Sequence, residues 1–219
     1  MLLQAAIDGA SKGMSLEDAV EYAKQVHSEV DIIEVGTSFI YRYGMDAVKR
    51  IHKEFPDRLI LGDMKLVDGG GPSTQMCCEA GADIVTVLGA ADDTTIFDAV
   101  SAAHLQKKEV MADMICVEKL EKRIQEVERL GVDYICVHIG VDAQKRGKGP
   151  LEELRAAKKT ARLAKIAVAG GISLSTIDTI VKEKPDVVIV GGGLKTDTPH
   201  RTAELIKRHM ERNADGNAI

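Results

Sequence analysis

No stretch of this chain is long and apolar enough to span a bilayer, since its apolar runs fall well short of the ~20 residues a membrane helix requires. The N-terminal MLLQAAIDGA turns polar too early for a signal peptide, so a cytoplasmic protein is expected. A surplus of positive charge is also missing. With 29 basic and 34 acidic residues interspersed and a net charge of −5, no broad basic face awaits nucleic acid or an anionic membrane. An anionic small ligand would therefore have to be held by local chemistry. Cysteine is scarce: Cys77, Cys78, Cys116 and Cys136 lack paired metal-ligand spacing, and three of them lie in apolar surroundings. That argues against a disulfide framework and for reduced, buried thiols. Nothing reads as a linker, and 45% apolar content over 219 residues is enough to bury a sizeable core.

What the chain does have is alternation. Short β-branched runs at 2–8, 31–35, 59–63, 83–87, 109–115, 132–138, 165–170 and 186–191 are separated by amphipathic helical stretches, the pattern of parallel strands with helical crossovers. Ser15 is expected to cap LEDAVEYAKQVHSE with Asp18 as a weaker capping-box partner, and Ser173 to cap LSTIDTIVKEK. Thr198 and Pro199 should open the last helix. Eight βα units spaced roughly 25 to 30 residues apart predict a single-domain (β/α)8 TIM barrel rather than an open doubly wound sheet. The barrel is expected over residues 1–212, with 213–219 as a disordered tail.

In such barrels chemistry gathers where strands end. The endings are Asp8, Glu34, Asp63 with Lys65, Asp113 and His138, followed by the glycine pairs Gly170-Gly171 and Gly191-Gly192. In LILGDMKLVDGGG, Asp63 and Asp68 bracket Lys65. An i, i+2 spacing on an extended strand would turn Asp63 and Lys65 to the same face. The glycine loops AGGIS and VGGGLKTD present backbone N–H groups and lead toward helix N-termini, which predicts a phosphate on Gly170, Gly171, Gly191 and Gly192. A phosphorylated substrate would then reach toward the acidic strand ends.

Glu34 and Asp63 offer the hard oxygens that Mg²⁺ accepts, although pairing with Lys65 or helix capping would also account for them. Nearby carboxylates favour a charged Lys65, hence an ammonium that stabilises negative charge or moves a proton rather than a Schiff-base amine. His138, with Asp142 close behind it, is a candidate general acid or base. Asp8 and Asp113 read equally well as acceptors for substrate hydroxyls or for loop N–H groups. Tyr41 to Met45 (YRYGM) would line an entrance or an interface.

Several segments together carry a resemblance: D-x-K-x-x-D at Asp63, Lys65 and Asp68, VDIIEVGT around Glu34, H-x-G-x-D-x-Q from His138 to Gln144, VAGGI and VIVGGG. They resemble the orotidine 5′-monophosphate decarboxylase suprafamily and, more closely, its 3-hexulose-6-phosphate synthase family, up to about Arg212. The resemblance implies a reversible aldol reaction of formaldehyde with D-ribulose 5-phosphate. It also implies Mg²⁺ on Glu34 and Asp63, proton transfer by His138 and charge stabilisation by Lys65. A homodimer in which Asp68 enters the partner's site is implied as well. The sister 3-keto-L-gulonate-6-phosphate decarboxylases differ where this chain has Asp113, Val141, Ala169 and Gly192. That sister activity, or a phosphosugar-binding barrel without turnover, is the alternative.

Overall fold

The computed structural model describes residues 1–214. Eight parallel strands, β1 (Leu2–Ile7), β2 (Ile32–Val35), β3 (Leu59–Leu66), β4 (Ile84–Leu88), β5 (Glu109–Asp113), β6 (Tyr134–His138), β7 (Lys165–Ala169) and β8 (Val187–Val190), close in chain order, β1 pairing with β8 through Leu2 and Val187. The TIM barrel expected from the alternation is the observed fold. Helices α1 (Leu16–Val26), α2 (Thr37–Tyr43), α3 (Met45–Glu54), α4 (Gly70–Glu79), α5 (Asp93–Leu105), α6 (Leu120–Arg129), α7 (Val141–Gln144), α8 (Leu151–Thr160), α9 (Ile177–Val181) and α10 (Pro199–Ala214) follow the strands. Among the described residues no helix is long and apolar enough to cross a membrane.

Strands buried on both faces carry near-continuous apolar runs, and β8, VVIV, is buried at all four positions. Outward-facing Leu3, Ala5 and Ile7 join the large core under the helices, whereas Ala6, Ile32, Leu61, Ile84, Met111 and Tyr134 fill the barrel interior. The interior is thus plugged with apolar side chains at its lower levels, which leaves the C-terminal rim for polar groups.

The N-terminal rim is closed by a repeated aspartate. Asp31, Asp83, Asp133 and Asp186 each precede an even-numbered strand, and each carboxylate accepts the N–H of a residue on the preceding odd-numbered strand: Leu3 at 2.8 Å, Ile60 at 2.9 Å, Val110 at 2.8 Å and Ile166 at 2.7 Å. Each aspartate also donates its own N–H to the carbonyl of the same partner. Buried N–H groups at the start of a ladder need an acceptor, and these side chains supply it.

Three local expectations are revised. β3 is not a regular extended strand to its end: its register with β4 passes from Gly62↔Val85 to Leu66↔Val87. The cap of the helix after β7 moves, because α9 begins only at Ile177 after Thr176, while Ser173 lies in the preceding turn and accepts the Thr176 and Ile177 N–H groups on its carbonyl. Finally, α10 continues through Ala214, past the expected tail boundary at 213, and residues 215–219 lie outside the described residues. Ser15 and Asp18 form a complete capping box, and Pro199 is the first residue of α10.

Replacing Asp31 by Ala would orphan the N–H of fully buried Leu3. Urea unfolding of Asp31→Ala should show a loss of about 1–3 kcal/mol, the cost of a stranded buried donor.

Candidate active site

A cavity of about 860 Å³ opens at the C-terminal ends of the strands, with Asp8, Glu34, Asp63, Lys65, Asp113 and His138 all in its lining. Asp68 is not in that lining: it is exposed beyond the end of β3, its carboxylate accepting the N–H of Gly69. The second carboxylate on Lys65 is Asp113 instead. Lys65 Nζ lies 2.8 Å from Asp63 Oδ2 and 2.9 Å from Asp113 Oδ2. This convergence arises from an arch, not from strand alternation, because Lys65 has φ 45°, in the left-handed region.

Asp113 also meets His138, with Nδ1 2.9 Å from Oδ2 and 3.1 Å from Oδ1. Asp63, Lys65, Asp113 and His138 therefore form one continuous chain. Burial alone would raise the Asp113 pKa, but the hydrogen bond and charge of His138, with the Lys65 ammonium, outweigh it and hold the carboxyl at about 2. An ionised carboxylate only accepts, so Nδ1 carries the hydrogen and Nε2 is the nitrogen left for chemistry. Asp142, expected beside His138, is exposed at the cavity mouth on α7, where Lys145 Nζ pairs with it at 2.8 Å and lowers its pKa. A strand end reaches its lateral neighbour more easily than its own following loop, so β5 rather than the loop supplies the partner.

For Lys65, burial works against the charged form, but Asp63 and Asp113 override it and raise the pKa well above the usual lysine value. It is an ammonium. Asp63 is held on both sides, by the Thr37 hydroxyl 2.6 Å from Oδ2 and the Thr86 hydroxyl 2.8 Å from Oδ1.

Among the described residues Glu34 has no salt-bridge partner, and its one side-chain hydrogen bond is from Gln4, whose Nε2 donates to Oε2 at 2.6 Å. Burial, then Asp63, then Asp8 push its pKa well above the normal glutamate value. Asp8 is raised as well, by burial and then by Asp63, against the opposing charges of Lys195, Lys65 and His138. Gly36 makes room for it, since a Cβ there would lie 2.1 Å from Asp8 Oδ1. Clustered hard oxygens with unfavourable mutual charge are a donor set that suits a divalent cation. No group of three or more His, Cys, Asp or Glu side chains is arranged to cage a metal among the described residues. Glu34 and Asp63 could together hold an ion such as Mg²⁺ that keeps water or substrate oxygens in its shell, Asp63 while also bound by Thr37, Thr86 and Lys65.

The opposite wall is glycine. Gly170, Gly171, Gly191 and Gly192 line the cavity together with Gly193 and Ser173. Gly170 is required by the backbone: its φ is 107°, and a Cβ would lie 2.4 Å from the Ile139 carbonyl. Around Gly192, by contrast, a Cβ would meet nothing within 4 Å, so the space above it is open to a ligand. The loop after β8 enters a single 3₁₀ turn, Gly192–Leu194, whose first N–H groups have no partner within the turn. α9 is only five residues long, so the expected helix-dipole contribution after β7 is small. Lys12 and Lys195 add positive charge to this wall, Lys195 Nζ donating to the Asp8 main-chain carbonyl. Reading strand ends alone passes over both lysines, although Lys195 stands in VGGGLKTD directly after the glycines. Tyr41, 82% exposed, lies at the mouth.

The sequence model of the Orotidine 5′-phosphate decarboxylase / HUMPS family matches residues 1–205. A 3-hexulose-6-phosphate synthase of Bacillus subtilis (strain 168) is 45% identical over 211 residues, covering 94% of this chain and 99% of that protein. The crystal structure of 3-hexulose-6-phosphate synthase from Salmonella typhimurium superposes with a TM-score of 0.93 at 40% identity, covering 97% of this chain and all of that one. A 3-keto-L-gulonate-6-phosphate decarboxylase from Vibrio cholerae gives 0.85 at 29% identity, covering 96% and 97%.

Glu34 generates a signed expectation. A carboxyl whose pKa is raised by folding costs stability once pH exceeds its unfolded value of about 4.3. Without added metal at neutral pH, Glu34→Gln should therefore raise stability by on the order of 1 kcal/mol, measured by thermal unfolding. Added Mg²⁺ should stabilise the native protein more than the variant.

Proposed function

Because this chain belongs to the orotidine 5′-phosphate decarboxylase / HUMPS family, we propose that it is a 3-hexulose-6-phosphate synthase. It would join formaldehyde to D-ribulose 5-phosphate, reversibly, to give D-arabino-hex-3-ulose 6-phosphate. The observation that carries the reading is the linked Asp63–Lys65–Asp113–His138 chain at one side of the cavity, facing an open glycine wall at the other. One side suits proton transfer and anion stabilisation; the other suits a phosphate.

The difficult step is removal of a proton from C1 of the pentulose phosphate, next to the C2 ketone, because the enediolate so formed is poorly stabilised by water. His138 Nε2 takes that proton, with Asp113 on Nδ1 holding the ring in place. The Lys65 ammonium faces the developing negative charge, and its two carboxylates keep it fixed and protonated. C1 then bonds to the formaldehyde carbon, and the new alkoxide recovers the proton from His138, so the base is regenerated. Mg²⁺ on Glu34 and Asp63 would supply Lewis-acid stabilisation of oxygen anions. Formaldehyde offers almost nothing to grip. Selectivity falls to the sugar phosphate, through Gly171, Gly191, Gly192 and the charge of Lys195 and Lys12, with Asp8 in reach of hydroxyls and Asp142 at the mouth.

The protein is proposed to work in the cytoplasm as a homodimer, Asp68 of each copy entering the other's cavity. Exposure of Asp68, outside the cavity of its own chain and next to 62%-exposed Val67, supports this.

Incubation of the purified protein with ribulose 5-phosphate and formaldehyde, with Mg²⁺ or with EDTA, tests the proposal, with 3-keto-L-gulonate 6-phosphate run in parallel. Formaldehyde consumption that stops with EDTA is the expected result; CO₂ release from the sugar acid alone would transfer the chain to the decarboxylases. Lys65→Ala and His138→Asn should each lower kcat by roughly 100-fold or more with the fold intact by circular dichroism. An unchanged rate in either would remove that residue from the mechanism.

A further inference from the structure

Three residues of β3, Asp63, Met64 and Lys65, stand opposite a single residue of β4, Thr86, because the register passes from Gly62↔Val85 to Leu66↔Val87. A bulge of this size leaves backbone groups without ladder partners. Here the side chain of Thr86 takes the place of the ladder. Its hydroxyl accepts the Lys65 N–H at 2.9 Å and donates to Asp63 Oδ1 at 2.8 Å. Thr37 also binds Asp63, at Oδ2 and at the main-chain carbonyl, but it makes no bond to Lys65. Thr86 alone among the described residues ties the lysine backbone to the aspartate side chain.

From this we infer that Thr86 is the positioning residue of the site. Its hydroxyl holds Lys65 in the left-handed conformation, and so places Nζ between Asp63 and Asp113. A lysine at φ 45° has no local reason to stay there, since a Cβ makes that region costly and only surrounding structure maintains it. Thr86 is 3% exposed and lines the cavity, so it is well placed to support the arch. A neutral hydroxyl whose proton is already given to Asp63 is a poor acid or base. Burial of the methyl group is not what distinguishes threonine here, because valine would fill the same volume; the two-sided hydrogen bond is.

The kinetic part of the test rests on the aldol activity proposed above, while amide exchange does not. Three proteins are compared: native, Thr86→Val and Thr86→Ser. In hydrogen–deuterium exchange followed by NMR, the Lys65 amide should be protected in the native and serine proteins. It should exchange at least about 10-fold faster in the valine protein, which has lost the acceptor. With ribulose 5-phosphate and formaldehyde, Thr86→Val should lose about 100-fold in kcat, the scale of a small misplacement of a catalytic group. Its KM for the phosphosugar should stay within about 3-fold, because the glycine wall is untouched, and Thr86→Ser should recover most of kcat. A native-like kcat and native-like Lys65 protection in Thr86→Val would overturn the inference. So would a serine variant as impaired as the valine one, which would assign the effect to packing. Should Thr86→Val fail to fold, Thr86→Cys, similar in size but a weak hydrogen-bonding group, replaces it under the same criteria. If the native protein does not consume formaldehyde, the proposed reaction fails, and Lys65 exchange still decides the role of Thr86.

Discussion

Lys65 Nζ lies within 3 Å of two carboxylates that are almost wholly buried, Asp63 and Asp113, and the arrangement of the upper rim follows from that shared charge. Those two carboxylates keep the Lys65 ammonium charged, and His138 together with that ammonium lowers the pKa of Asp113 against its burial. His138 adds a second partner to Asp113, which extends the chain to an imidazole. Glu34 and Asp8, buried near Asp63, are raised in pKa, Asp8 despite the opposing charge of Lys195. Charge is thus distributed unevenly: Lys65 and His138 lie on Asp63 and Asp113, while Glu34 and Asp8 sit beside further carboxylates.

The barrel separates this chemistry from its own stability. At the N-terminal rim, carboxylates serve as acceptors for main-chain N–H groups, and Asp31, Asp83, Asp133 and Asp186 tie each odd-numbered strand to the next even-numbered one. At the C-terminal rim, carboxylates face one another across a cavity. The same residue type is satisfied by backbone at one end and by charged side chains at the other. Apolar interior side chains such as Ile32, Leu61, Ile84 and Met111 lie between the two levels. They keep water out from below and lower the local dielectric, which strengthens every charge interaction above them.

Much of this could be read along the chain because periodicity and punctuation are local properties. Strand runs, helix caps at Ser15 and Pro199, and the succession of ionisable strand endings all depend on near neighbours. Side-chain partners did not follow in the same way. Asp142 is near His138 in sequence, but Asp113, on the neighbouring strand, is the residue that reaches it. Asp68 brackets Lys65 in sequence, yet the β3 arch turns the lysine toward Asp113 and leaves Asp68 outside the cavity. Gln4 and Thr86 give no sign of their partners along the chain, and Thr37, although it ends VDIIEVGT, gives none of its hold on Asp63, because an uncharged side chain gains meaning only from what it faces. Lys195 could have been found by asking which charge follows the glycines of β8.

Sequence alone determined the eight-fold alternation, the acid, amine and imidazole at successive strand ends, and the glycine-rich final loops, since each is set by local propensity and by the period of apolar residues. Only the tertiary structure decided which charges pair, which acid is left uncompensated, and how Lys65 is held. Those depend on barrel closure and strand register, which bring together residues 48 positions apart, as Lys65 and Asp113 are. A single threonine can then stand opposite three residues of its neighbour.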